Sequence, residues 1–178
     1  MSNYDYKLVQ EESVSCCTAT PSVDVGCKRI HGGIHYRYMY NEGSIAYKGC
    51  PVIVTASTAG NTFVVTVATV DVMTTAAGLM AGGFVGTIHN ATCAAGSYCW
   101  VATKGMLNCL AYGMTVTAGK MVKIAEGGGL VENIEGFTDT SSTNTQQIAS
   151  YCANHIVGEA QEATAGVSTT ACVKVWVR

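Results

Sequence analysis

Apolar and polar residues alternate with a period of two in several short segments of the chain. Between residues 62 and 69, Phe63, Val65 and Val67 fall on one side of an extended backbone, and the residues between them fall on the other. This is the side-chain period of a β-strand. The apolar run 51–56 precedes it, and the intervening turn contains Gly60, which tolerates positive φ, so a hairpin is predicted.

The C-terminal residues show the same alternation. Val173, Val175 and Val177 share one face, so the chain is predicted to end in a strand that faces a core on one side only. The segment 156–160 precedes it and is predicted to pair with it as a closing hairpin.

The middle of the chain, residues 85–124, is predicted to form four strands. They are separated by residues 90–96, 104–105 and 112–113, where turn-forming residues cluster. No segment has helical periodicity. The sequence therefore predicts an all-β fold, a small β-barrel or jelly-roll-like sandwich with short antiparallel strands and an irregular N-terminal arm.

The length of 178 residues suits one domain. Residues 1–35 are predicted to be an N-terminal arm or edge segment, because the first 26 residues are irregular and polar. Residues 36–178 are predicted to form a single β-rich domain. Within it, residues 136–147 are polar and predict an exposed loop, a common location for contacts with partners.

Charged residues make up only 12% of the chain, against about 25% in an average soluble protein. A surface with few charges is poorly protected against association, which favours a large permanent interface over a monomer coated with hydroxyl groups. The net charge is −2, and Lys and Arg are scattered singly except at Lys28 and Arg29. Without a basic stripe, nucleic acid is not expected as the main ligand.

Neither long uncharged stretch, 49–70 or 72–103, holds the roughly 20 consecutive apolar residues of a membrane-spanning helix. The N-terminus lacks the basic start and apolar core of a signal peptide. We therefore expect no membrane contact and folding in a cytosol. There the nine cysteines would be reduced, small hydrophobic residues rather than a disulfide framework.

Cys27, His31 and His35 are the only tempting group of metal ligands. No C-x-x-C pair completes the set, and Gly32-Gly33 would break a helix carrying both histidines. No metal or cofactor is therefore expected. The chain also lacks a G-x-S-x-G turn, and its four histidines have no paired catalytic motif, so a non-enzymatic protein is predicted, with a small hydrolase as a remote alternative.

Tyr36, Tyr38 and Tyr40 alternate on one predicted strand face, an arrangement that could stack on sugars or bases. The nearby cation, Arg37, faces the opposite side. The tyrosines are therefore predicted to form an aromatic ladder that packs on a core or on a subunit interface.

Several groups of residues resemble the β-rich head decoration proteins of tailed bacteriophages. They are Ala81–Gly86, Gly96–Val101 with Gly105, Val116–Val122, Ile156–Ala160 and Val173–Val177, which together span Ala81 to Arg178. The resemblance implies a small β-barrel or jelly-roll-like module that binds the outside of the expanded icosahedral head. Such modules are commonly trimers at three-fold positions, where they clamp neighbouring major capsid subunits, and they need no catalytic residue.

The expected function is therefore that of a structural virion protein on the capsid exterior, synthesised in the host cytoplasm. Its expected partners are the major capsid protein and further copies of itself, as a homotrimer. The alternative is a carbohydrate-binding β-module on the virion surface, with the tyrosine face or Trp100 as the sugar platform. The candidate interface residues are Tyr36, Tyr38, Tyr40, Trp100, Phe137 and Trp176.

Overall fold

The computed structural model describes residues 17–55, 57, 60–67, 84–89, 92–111, 116–124, 131–133, 156–164 and 171–178. Within these ranges the chain forms strands and no helix, which confirms the predicted all-β class. The strands are β1 Cys17–Thr18, β2 Lys28–His31, β3 Ile34–Asn41, β4 Ala46–Tyr47, β5 Pro51–Val54, β6 Val64–Val67, β7 Phe84–Ile88, β8 Thr92–Cys93, β9 Ser97–Leu110, β10 Met121–Ile124, β11 Val131–Asn133, β12 Ile156–Ala160 and β13 Cys172–Val177. The predicted arm residues 1–16 and the predicted loop 136–147 lie outside the described residues.

Eleven of these strands belong to one sheet. Ten follow the order β11-β10-β12-β13-β9-β7-β5-β6-β3-β2, and β1 pairs with β9 beside this path. A further pairing joins β3 to β9, so β9, β7, β5, β6 and β3 form a ring of pairings and give the fold a barrel-like part. The remaining strands β4 and β8 form a separate two-stranded sheet.

Buried side chains from all five strands of this ring pack into one cluster, here called the ring core. It contains Met39, Val52, Val65, Ile88 and Val101, one from each strand, and each is at most 1% exposed. Consecutive residues of a strand point to opposite faces of the sheet. Where both faces are covered, consecutive residues are therefore both apolar. This explains why Val64 and Val65 are both buried.

A second cluster, the ladder core, contains buried residues of β3, β5, β9, β10, β12 and β13, and the C-terminal strand forms one of its walls. Val173, Val175 and Val177 are buried, and the residues between them are exposed, as the alternation predicted. β13 pairs antiparallel with β12, which confirms the predicted closing hairpin, and with the second half of β9.

The predicted turn at Lys104-Gly105 is wrong, because β9 runs without interruption from Ser97 to Leu110. The first half of β9 pairs with β3 and β7, and the second half pairs with β13. Gly105 has a φ of 109°, and a Cβ there would lie 3.0 Å from the Gly33 carbonyl oxygen. Gly105 therefore lies where β9 changes from pairing with β3 and β7 to pairing with β13. Because β9 is paired on both sides of this position, the strand continues and the chain does not reverse direction.

The predicted hairpin before residue 69 is confirmed. β5 and β6 pair antiparallel, with Val52 opposite Val67, and Gly60 in the connection has a φ of 75°. The strand itself begins only at Val64. Phe63 precedes it with a positive φ of 52° and an exposed ring, so it does not continue the alternation.

The described part of the predicted N-terminal segment, residues 17–35, contacts the body of the sheet. Cys17 and Thr18 pair with β9, and β2 pairs with β3 to form one end of the main path. The buried Tyr38 hydroxyl adds a side-chain anchor, since its oxygen lies 3.0 Å from Thr18 Oγ1 and 3.2 Å from Ser22 Oγ.

Candidate functional site

The β2–β3 hairpin brings basic side chains together that are dispersed in the sequence. Gly32 and Gly33 form its turn with φ values of 56° and 78°. The register places Lys28 opposite Arg37 and Ile30 opposite His35. Directly opposed residues in an antiparallel pair lie on the same face, so these four side chains share one face of the hairpin.

Lys104 reaches the same face from β9, whose register places it opposite His35. These side chains border an open cleft of about 560 Å³, here called the basic cleft. It is lined by Lys28, Arg29, Ile30, His35, Tyr36, Arg37, Met39, Val85, Thr103 and Lys104. The lining thus holds four of the ten Lys and Arg residues of the chain.

No acidic residue of the described chain lines the basic cleft. Like charges held close together repel each other, and the repulsion is relieved when an anion enters. Arg37 has a second contact, because its guanidinium lies 4.7 Å from the centre of the Phe63 ring in a cation–π arrangement. This contact holds one positive group at the border of the cleft without neutralising it.

A second hollow of about 420 Å³ adjoins the basic cleft, and Val85 and Thr103 line both. Here the register places Met121 opposite Glu159 and Glu159 opposite Trp176, so the three side chains form a row across β10, β12 and β13. Met121 and Trp176 are each 43% exposed. This second hollow therefore presents apolar surface beside the cationic surface of the cleft.

The structure places the predicted interface residues in different environments. Tyr36, Tyr38 and Trp100 are at most 4% exposed and belong to the ladder core, with Tyr38 directly opposite Trp100 and their ring centres 5.1 Å apart. The tyrosine ladder thus packs on the chain's own core, and burial leaves no flat aromatic face there for a sugar. Tyr40 is partly buried and packs on Tyr98.

Of the other predicted interface residues, Trp176 is exposed on the outer face of β13. Phe137 lies outside the described residues. The candidate metal ligands are not brought together. His31 pairs with Ile34 and His35 pairs with Ile30, so the two histidines lie on opposite faces of the hairpin, and Cys27 packs on the ladder core. Within the described ranges no group of three His, Cys, Asp or Glu residues could hold a metal ion.

Seven cysteines are described and all are free thiols. Cys17 Sγ and Cys93 Sγ are 3.2 Å apart, and burial together with the Cys93 contact raises the pKa of Cys17. The hydrogen bond with Cys99 and burial raise the pKa of Cys93, and burial raises that of Cys109. Nucleophilic thiols have lowered pKa values, so these three thiols are protonated, weakly reactive groups at neutral pH.

His89 is half-buried and contacts the Tyr36 ring edge-on, with the ring centres 5.0 Å apart. Burial lowers its pKa, and the positive field of Lys48 lowers it further. A neutral imidazole at this position is consistent with packing rather than with binding of an anion.

Comparison of the chain with protein-family models, with curated proteins and with solved structures found no match. The described part of the chain also contains no helix long and apolar enough to cross a membrane. The function is therefore inferred from the surfaces of the chain.

The sequence analysis did not predict the basic cleft, because a sequence pattern relates each Lys or Arg only to residues near it in the chain. The sequence does contain a pattern for the hairpin that forms part of the cleft. This pattern is that of a basic hairpin, with Lys28-Arg29, then a Gly-Gly turn, then His35 and Arg37. The addition of Lys104 depends on the long-range pairing of β3 with β9, which no local pattern encodes.

Proposed function

We infer that this chain is a structural virion protein, a head decoration protein of a tailed bacteriophage that stabilises contacts between major capsid subunits. The observation that carries the proposal is the exposure of large apolar side chains on a chain with few charges. Those at least 42% exposed among the described residues are Ile30, Ile45, Tyr47, Val54, Phe63, Met121 and Trp176. Exposed apolar surface of this kind favours burial against another protein.

Tyr47, Val54, Met121 and Trp176 are presented by strands whose neighbouring residues are fixed in the cores. Ile45 and Tyr47 flank Ala46, which is fully buried, and Trp176 lies between the buried Val175 and Val177. A preformed surface loses little conformational freedom on binding, so more of the contact energy contributes to affinity. In a capsid with many copies, modest contacts at each position add together.

The proposal places the protein on the capsid exterior after synthesis in the host cytoplasm. Its partners are the major capsid protein and two further copies of itself in a homotrimer. Its role requires no catalytic residue and no cofactor.

The test uses purified, reduced protein and expanded phage heads that lack a decoration protein. We expect saturable co-sedimentation in a fixed ratio to the capsid subunit, and heads that remain intact at a higher temperature. Light scattering of the free protein then measures the number of copies in the assembly. A free monomer that does not sediment with heads would refute the proposal.

Paired variants locate the surface involved. Met121→Ser with Trp176→Ser removes the two exposed apolar side chains on β10 and β13, and Ile45→Ser with Tyr47→Ser removes the exposed side chains on either side of Ala46. Lys120→Ser is the matched control, because it changes an exposed polar residue next to Met121. We expect at least one double variant, but not the control, to lose head binding while its thermal unfolding stays close to that of the parent protein.

A further inference from the structure

β2 ends the main path of the sheet, and its only recorded ladder among the described residues is with β3. Three of its four residues are exposed, and Ile30 is 66% exposed. The outer side of such an edge strand presents backbone N–H and C=O groups that can pair with another strand. Extended peptides bind at sheet edges in this way.

The charges around this edge restrict the strand that can pair there. Lys28 lies on β2 itself, and Arg37 and Lys104 lie on the next strands of the same face. Cations on an edge discourage pairing with neutral or basic strands. A strand with carboxylates on the side that faces the cleft would neutralise the charges of Lys28, Arg37 and Lys104. The described lining contains no acidic residue that could neutralise them.

We propose that the β2 edge and the basic cleft form a binding site for an extended acidic peptide, which adds to the sheet as an eleventh strand of the main path. Its backbone pairs with β2 and its alternate carboxylates lie directly beside Lys28, while Arg37 and Lys104 attract them from the next two strands of the same face. The side-chain period of two means that acidic residues at every second position all face the cleft. The inference does not depend on the capsid role, since any partner with such a segment would bind.

A peptide fits this site better than nucleic acid does. Tyr36, the tyrosine in the described lining, is 2% exposed, so bases could stack only on His35 within the cleft or on Phe63 at its border. The cations are confined to one cleft instead of following a path of phosphates along the surface. The exposed Ile30 side chain adds apolar contact that a peptide side chain can cover.

The test measures fluorescence anisotropy of a labelled peptide in which Glu and Val alternate. The control peptide has the same length and charge, but its central Val is replaced by proline, which blocks strand pairing. We expect the alternating peptide to bind, more weakly as salt rises, and the proline peptide to bind at least tenfold more weakly. Equal binding of the two peptides would overturn the strand-addition proposal.

Charge reversal supplies the matched protein variants. Lys28→Glu and Lys104→Glu each change an exposed residue in the cleft, and Lys120→Glu changes an exposed residue outside it. We expect about three- to tenfold weaker binding for each cleft variant, because an exposed attraction becomes a repulsion of similar size. No change relative to Lys120→Glu would overturn the proposal. Tighter binding of a single-stranded oligonucleotide than of the peptide would overturn it in favour of phosphate recognition.

Discussion

The Tyr38→Phe substitution tests how the N-terminal segment is fastened to the sheet. The Tyr38 hydroxyl lies 3.0 Å from Thr18 Oγ1 and 3.2 Å from Ser22 Oγ, and the Ser22 N–H donates to it over 3.4 Å. The ring stays in the ladder core in the variant, because phenylalanine has the same shape without the oxygen. Only the side-chain anchor is therefore removed.

The expected loss follows from the environment of the three partner groups. A neutral hydrogen bond contributes about 0.5–1.5 kcal/mol net. Thr18 is half-buried and Ser22 is exposed, so water replaces much of what their groups lose. The contact to the Ser22 N–H is also long. Since no cavity is created, we expect the free energy of unfolding to fall by about 1–2 kcal/mol in total.

Urea unfolding measures this loss, and amide exchange of residues 18–27 measures where it acts. We expect faster exchange in that segment and unchanged exchange in β13. A double-mutant cycle with Thr18→Val, which removes the other hydroxyl at nearly constant shape, should show coupling of about 1 kcal/mol. Additive effects of the two substitutions, or unchanged exchange of residues 18–27, would refute the anchor.

Three other predictions concern the sheet, a histidine and a thiol pair. A Cβ at Gly86 would lie 2.1 Å from a backbone oxygen of β9, so Gly86→Ala should cost about 3 kcal/mol in urea unfolding. Gly60→Ala has open space and adds only the left-handed backbone strain of about 1–2 kcal/mol, so it should cost less, and equal costs would contradict the close approach at Gly86. The lowered pKa of His89 means that the unfolded chain binds a proton more readily below about pH 6.5, so stability falls there as pH decreases. Relative to His89→Gln, the parent protein should lose stability between pH 7 and 5, and parallel curves would reject the effect. Because the raised pKa values leave little thiolate at neutral pH, oxidised glutathione should convert Cys17 and Cys93 to a disulfide slowly at neutral pH and faster at alkaline pH, with their two hydrogens passing to two reduced glutathione molecules. Intact mass and peptide mapping would show the bond, and an identical product from Cys93→Ala would disprove this pairing.

Local alternation predicted several elements because the rule behind it needs only neighbouring residues. The buried face of β13 and the β5–β6 hairpin are confirmed, since apolar residues at every second position specify a face and Gly60 supplies the turn. The tyrosine ladder was also predicted to pack, although the choice between a core and a subunit interface was left open. Its burial was decided by Trp100, which lies opposite Tyr38 on β9.

The error at Lys104-Gly105 has a related cause. A glycine after a polar residue predicts a turn, but the same glycine allows a continuous strand to change partners when ladder bonds exist on both sides. Those bonds come from β3 and β13, which are distant in the sequence. No local pattern could therefore distinguish a reversal from a bend.

Sequence patterns alone were enough to establish that the described chain is all-β, that its C-terminal strand is buried on one face, and that few of its residues are charged. Only the tertiary structure decided where the cations meet. Lys28 and Arg37 face each other through one hairpin, but Lys104 joins them through the register of β3 and β9. Periodicity acts between neighbours, whereas electrostatic fields add over all charges that the fold brings within a few ångströms.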